Sequence, residues 1–257
     1  MINHPNSAFT VVIPVRMDST RLPGKAMQDI NGKPMIAHTI DRAKESGAQQ
    51  IIVATDHPAI FDEAIKAGVN AVMTPETCAS GTDRIALALA SQQVPSETII
   101  VNLQGDEPMF SGHWIAQLAE RLVMSGSDMA TVAVSDLDAK QLADPNVVKV
   151  VADSANNALY FSRAGVPFSR DGQLVEEITM RKYFMRHVGV YAYRAGFLRT
   201  FVNWGVAPLE YTEKLEQLRV LWNGGRIHLL RFHRMTAKSV DTPEDLMMVR
   251  QLMQQSV

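Results

Sequence analysis

The chain has 257 residues, 46% of them hydrophobic and 20% charged, which excludes disordered, collagen-like and coiled-coil proteins and is long enough to bury a full core. Its 25 basic and 27 acidic residues leave a formal net charge of −2 with no Lys/Arg block, so nucleic acid is not expected as a partner. A single cysteine, Cys78, allows neither an intrachain disulfide nor a Cys-based zinc site, and fits a reducing compartment.

In chain order, residues 1–8 lack the cationic start and apolar stretch of a signal peptide, and no later apolar run reaches the ~18 residues that span a bilayer. The expected location is therefore cytoplasmic, away from the membrane. Runs rich in Val and Ile at 9–15, 51–55, 98–103, 129–134 and 147–151 read as strands buried on both faces. Between them, 41–46, 58–67, 84–90 and 114–123 have helical spacing, with Gly47 and Gly68 placed to end two helices. This alternation predicts an α/β fold: a mostly parallel, Rossmann-like sheet with helices on both faces and right-handed crossovers. Ligands of such sheets sit beyond the carboxyl ends of the strands.

From 147 the pattern changes. Segments 158–161 and 188–193 are strand-like with few helical residues between them, so an inserted antiparallel lobe is expected over about 147–205. The stretch 170–182 mixes charge with little periodicity, as a mobile loop does; 209–222 is helix-like, 227–232 is the last strand, and a final helix starts near Pro243. Neither an internal repeat nor a Pro/Gly/Ser-rich linker divides the chain, which reads as one domain over 1–257.

The loops after the strands carry the chemistry. After the first strand come Arg16, Asp18, Ser19, Thr20, Arg21, Gly24 and Lys25, and three cations with two hydroxyls beyond a strand end suit a triphosphate. The spacing is neither a Walker A loop nor the G-x-G-x-x-G dinucleotide fingerprint, which argues against an NAD-dependent oxidoreductase. Ser80-Gly81-Thr82-Asp83-Arg84 precedes a helix, with Thr82 or Asp83 a natural N-cap and Gly81 free to take a positive φ. The strand ending at Leu103 runs into Gln104-Gly105-Asp106-Glu107-Pro108, where Asp106 is the first candidate for a divalent metal meeting phosphate. Near the end, Thr242, Pro243 and Asp245 form a capping box and leave Asp241 free to reach the same crevice. Arg163 has the planar fork that grips a carboxylate, His187 and Tyr191 are placed to share one strand face, and Glu216 with Gln217 offers either sugar recognition or an i, i+3 pair between Glu216 and Arg219. A non-catalytic nucleotide-binding module is the rival from another class, against which the paired aspartates argue.

Taken together, these segments resemble the CMP-Kdo synthetase family, the 3-deoxy-manno-octulosonate (Kdo) cytidylyltransferases, in order from residue 9 to about 249. The most distinctive strings are 21–25, 31–35, 104–109, 160–163, 215–221 and 240–245. The resemblance implies a nucleotide-diphospho-sugar transferase-like fold. It also implies transfer of CMP from CTP to Kdo with release of pyrophosphate for lipopolysaccharide synthesis, Mg²⁺ as cofactor, and a homodimer joined through the inserted lobe. By position, Arg16, Ser19, Lys25, Ser80 and Gln104 would contact CTP, and Asp106 and Asp241 would ligate Mg²⁺. Arg16, Lys25, Asp106 and Asp241 would form the catalytic set, while Arg163, His187, Tyr191, Glu216 and Gln217 would hold the sugar acid. Two positions depart from the family pattern: Asp18 puts a carboxylate into the phosphate loop, and Phe168 stands where some members carry Trp. Sialic acid or an amino analogue of Kdo is the alternative acceptor.

Overall fold

The structure, a computed structural model, describes residues 8–78, 80–170 and 183–255; nearly all of the expected mobile loop 170–182 lies outside the described residues. The main sheet is built on β1 (Phe9–Val15), β4 (Gln50–Thr55), β5 (Asn70–Met73), β6 (Ile99–Asn102), β7 (Met129–Val134), β10 (Met185–Arg194) and β11 (Ile227–Phe232), ordered β11-β7-β10-β6-β1-β4-β5. Every neighbouring pair is parallel except those made by β10, which runs antiparallel to both β6 and β7. Two short strands, β2 (Asp29–Ile30) and β3 (Lys33–Pro34), form a separate antiparallel pair.

All seven residues of β1 are buried, and their alternation divides the core between two faces. Val11 and Ile13 pack with α1 (Met35–Glu45), α2 (Pro58–Lys66) and α4 (Gly112–Ser125) on one face. Val12, Ile52 and Ile100 pack with α3 (Gly81–Ser91) and α6 (Ala195–Asn203) on the other. Gly47 and Gly68 end α1 and α2 with φ of 72° and 73°, as their spacing predicts. Helix α1 starts at Met35 rather than near 41, because Met35, Ile36, Thr39 and Ile40 continue its buried stripe to Pro34. Among the described residues, no helix is long and apolar enough to cross a membrane.

The region expected to be antiparallel has two parts. Strands β8 (Lys149–Ala152) and β9 (Ala158–Ser162) pair antiparallel around an Asp153-centred turn and attach to Met185 and Arg186 at the start of β10. Strand β10 itself continues through the main sheet, so β8 and β6 occupy successive lengths of one of its edges. Along its other edge, Val188 faces Val132 but Tyr191 faces Thr131, which places Gly189 and Val190 in a bulge. The Thr131 hydroxyl fills it, contacting the carbonyls of Val190 at 2.8 Å and Val188 at 3.3 Å.

The expected helix over 209–222 is instead two, α7 (Pro208–Glu213) and α8 (Leu218–Trp222), with α5 (Ala139–Ala143) preceding β8 and α9 (Pro243–Gln254) ending the fold. The break falls at Lys214, which has φ 54° and ψ 46°, a conformation no helix continues through. Across the break, Arg219 reaches back to Glu210 through two hydrogen bonds of 2.8 and 2.5 Å, both side chains being less than 10% exposed. Replacing one partner of a buried pair strands the other charge. Arg219→Met should therefore lower the unfolding free energy in urea by about 3–5 kcal/mol, with Arg219→Met/Glu210→Leu recovering most of the loss.

Candidate active site

Two adjoining cavities open beyond the carboxyl ends of β1 and β6, with volumes of about 410 and 1060 Å³, and share Arg21, Gly81, Gln104, Glu216 and Asp241 in their walls. The smaller is lined by the loop after β1, including Arg16, Ser19 and Lys25, and by Ser80 and Asp106. Gly24, with φ 62°, turns this loop into the 3₁₀ turn Lys25–Met27, and the buried side chain of Leu22 anchors it against Met35, Val240 and Leu246.

The centre of the site is a knot of charge. Lys25 Nζ donates to Asp106 Oδ2 at 2.6 Å and to Asp241 Oδ1 at 3.1 Å, and Arg21 Nη2 donates to the same Asp241 oxygen at 3.0 Å. Burial alone would lower the Lys25 pKa, but the two carboxylates outweigh it and hold it above the ordinary lysine value. Asp106 and Asp241 come from distant loops that meet where Val240 N–H donates to the Asp106 carbonyl at 3.0 Å. Gly105 lets the loop after β6 lie close against the end of β1, since a Cβ there would lie 2.9 Å from the Val15 side chain. On the other side, α9 begins with the expected capping box between Thr242 and Asp245, which leaves the Asp241 carboxylate to Lys25 and Arg21.

Because the Lys25 ammonium sits where both carboxylates converge, the pair can hold a cation between them. Among the described residues, no group of three or more His, Cys, Asp or Glu side chains is arranged to hold a metal ion. Two carboxylates completed by phosphate oxygens is the donor set that Mg²⁺ accepts and that fits here.

Ser80 caps α3: its oxygen accepts from Asp83 N–H at 3.1 Å and its hydroxyl donates to Asp83 Oδ2 at 2.9 Å. This corrects the assignment of the cap to Thr82 or Asp83, and Gly81 does not take a positive φ. Thr82 is used otherwise, donating to Glu216 Oε2 at 2.6 Å. The Arg219 main-chain N–H donates to the Glu216 carbonyl at 3.0 Å, but the Arg219 guanidinium is committed to Glu210, and Glu216 instead lines both cavities. Burial raises the Glu216 pKa, against the Thr82 hydrogen bond.

In the larger cavity, His187 and Tyr191 are neighbours as expected, with ring centroids 5.5 Å apart. The His187 ring packs edge-on to Phe161, meets the Thr131 hydroxyl at 2.9 Å, and is pushed by burial to a pKa of about 3, so it is neutral at pH 7. Tyr191 donates to Gln217 Oε1 at 3.3 Å, while Gln217 Nε2 is buried without a hydrogen-bond partner among the described residues. A buried amide donor left unpaired costs about 1–3 kcal/mol, a cost that a ligand hydroxyl in this cavity would remove. Arg163 stands apart from the cavity wall, its Nε donating to the Glu213 carbonyl at 2.7 Å and its Nη1 to the Pro145 carbonyl at 2.9 Å. Arg186 does line the cavity and is held by Asp136 through bonds of 2.7 and 3.2 Å.

A family model described as cytidylyltransferase matches residues 10–229. The chain belongs to the cytidylyltransferase family. Among solved structures, this cytidylyltransferase is similar to one of CMP:2-keto-3-deoxy-manno-octonic acid synthetase complexed with CTP. The two are 36% identical, the match covers 98% of this chain and 100% of that one, and the TM-score is 0.87. The family and the nucleotide-sugar transferase-like fold expected from the motifs are thus borne out.

Several residues around the cytidylyltransferase site escape the motif reading. Asp56 and Arg84 pair beside the phosphate loop, and Thr131 supports His187 from a neighbouring strand. Only Asp56, directly after a predicted strand, carries a positional signal. Glu107, read as the second carboxylate of its loop, is 4% exposed and accepts a hydrogen bond from the Ser239 hydroxyl. Burial, reinforced by Asp106, pushes its pKa up to about 8, against the Ser239 hydrogen bond and Arg186. The folded chain therefore binds this proton more tightly than the unfolded chain does. The resulting stabilisation is complete below pH 4.5 and disappears as pH rises to about 8. In nucleotide-free, metal-free buffer, Glu107→Gln should flatten this decline when urea unfolding is measured at a series of pH values across the window.

Proposed function

We propose that the chain transfers CMP from CTP to the 2-hydroxyl of Kdo, the acid that the related structure's name gives as 2-keto-3-deoxy-manno-octonic acid, and releases pyrophosphate. The observation that carries this reading is the junction of the two cavities. The smaller cavity, with Arg16, Arg21 and Lys25 in its wall, and the larger, with His187, Tyr191 and Gln217, share Asp241 and Glu216, and Lys25 joins Asp106 to that shared Asp241.

In the smaller cavity, Arg16, Ser19 and Lys25 would hold the triphosphate, with Ser80 and Gln104 beside the nucleoside. Phosphate oxygens offer Lys25 a new partner, which frees Asp106 and Asp241 to hold Mg²⁺. Bound there, Mg²⁺ would supply Lewis-acid stabilisation of charge on the α-phosphate and on the attacking hydroxyl. Attack forms a bond from the Kdo oxygen to the α-phosphorus, with the hydroxyl proton passing to solvent, and breaks the bond from that phosphorus to the bridging oxygen of pyrophosphate. Arg16 and Lys25 neutralise the charge that grows on the leaving group, a preorganised arrangement that needs no side-chain nucleophile.

On the acceptor side, Gln217 offers its unpaired Nε2 donor, while Glu216 and Tyr191 offer an acceptor and a hydroxyl to the ring substituents. His187, neutral and fixed by Thr131, serves as a hydrogen-bonding wall and not as an acid or base. For Arg163 to grip the sugar carboxylate, its guanidinium must exchange the Glu213 and Pro145 carbonyls for the acid. A cytoplasmic homodimer that feeds lipopolysaccharide synthesis completes the proposal.

The test is pyrophosphate release from CTP and Mg²⁺ with Kdo, 8-amino-Kdo, N-acetylneuraminate or no acceptor. Release with Kdo alone is expected. Release with another acid would move the acceptor assignment, and no release with any acid would leave a nucleotide-binding module. Asp106→Asn should lower turnover by more than about 100-fold while CTP affinity changes less than about fivefold. Near-normal turnover in that variant would remove Asp106 from the metal site.

A further inference from the structure

A buried ion pair behind the nucleotide cavity takes no part in the reaction above. Asp56, just beyond β4, and Arg84, in the first turn of α3, meet at 2.7 Å with side chains only 9% and 4% exposed. Asp56 Oδ1 also accepts from the main-chain N–H of Met17 at 3.0 Å. Arg84 donates in addition to the Thr74 hydroxyl, which itself donates to the Thr55 carbonyl at 3.0 Å. One desolvated contact thus ties the loop after β1 to the ends of β4 and β5 and to the start of α3.

Both tied segments are substrate loops. Met17 follows Arg16 and precedes Ser19, and Arg84 follows the Ser80 cap, all within the wall of one cavity except Met17 itself. Buried ion pairs are poor sources of net stability and are better attested as devices that fix a unique geometry. A pair present only to stabilise the fold has no need of a main-chain bond to the phosphate loop.

We propose that Asp56 and Arg84 are positioning residues that hold the phosphate loop and the nucleoside loop at a fixed separation, so that both ends of CTP are received by one rigid body. The proposal rests on the CTP reading given above. Asp56 acts through the Met17 amide and touches no substrate.

The experiment is calorimetric titration of CTP without acceptor, followed by steady-state kinetics, on the unaltered chain and on Asp56→Ala, Asp56→Asn and Thr74→Val. Misplacing reacting groups by about 1 Å can cost about 100-fold, and Asp56→Ala should lose about that much in kcat/KM for CTP with KM for the acceptor unchanged at saturating CTP. Asp56→Asn, which keeps an oxygen for Met17, should recover part of the loss. Thr74→Val should weaken CTP binding in the same direction by a smaller factor. Unchanged CTP affinity in a folded Asp56→Ala overturns the proposal. If that variant does not fold, unchanged affinity in Thr74→Val overturns it instead. Failure of the unaltered chain to bind CTP would overturn the nucleotide reading and this proposal together.

Discussion

Two aspartates that share one ammonium set the terms for the rest of the molecule. Like charges brought this close repel strongly unless a cation lies between them, and Lys25 supplies it at 2.6 and 3.1 Å. Around this point, Gly105 permits the approach of the loop after β6, the Val240 amide joins that loop to the one before α9, and Leu22 packs the phosphate loop onto α9. Each of these details is modest alone. Together they explain why a parallel sheet, a terminal helix and a positive-φ glycine must agree on one geometry.

Charged side chains line both cavities. Arg16 and Lys25 belong to the smaller alone and Arg186, Lys214 and Lys238 to the larger, where burial keeps His187 uncharged. Glu216 borders both cavities, with its orientation set by Thr82 from α3 and by the commitment of Arg219 to Glu210. Side chains far apart in the chain therefore decide where a single carboxylate faces.

The parallel core was legible because continuous Val/Ile runs mark strands buried on both sides, and 9–15, 129–134 and 227–232 match β1, β7 and β11 residue for residue. Asp106 and Asp241 were legible from their places after a strand and before a capping box. Strand β5 escaped because Asn70–Met73 is short and lies at a sheet edge, with neither a long apolar run nor clean alternation. The break at Lys214 escaped because a lysine in the left-handed region has no sequence mark of the kind glycine gives. The Glu216–Arg219 spacing misled for a physical reason: helical proximity sets an opportunity for pairing, and a buried Glu210 competed for the arginine and won. Arg163 lies near the cavity but is bound to carbonyls, a choice of partner that no linear pattern records.

The bulge in β10 leaves slack in an otherwise tightly fitted frame. Gly189 sits in it on the wall of the larger cavity, outside the positive-φ region, and a Cβ built there meets nothing within 4 Å. At Gly105 and Gly112 a Cβ would instead strike neighbours at 2.9 and 2.6 Å. Glycine is thus imposed by packing beside the phosphate loop and at the start of α4, while the backbone of the bulge leaves its residue type open.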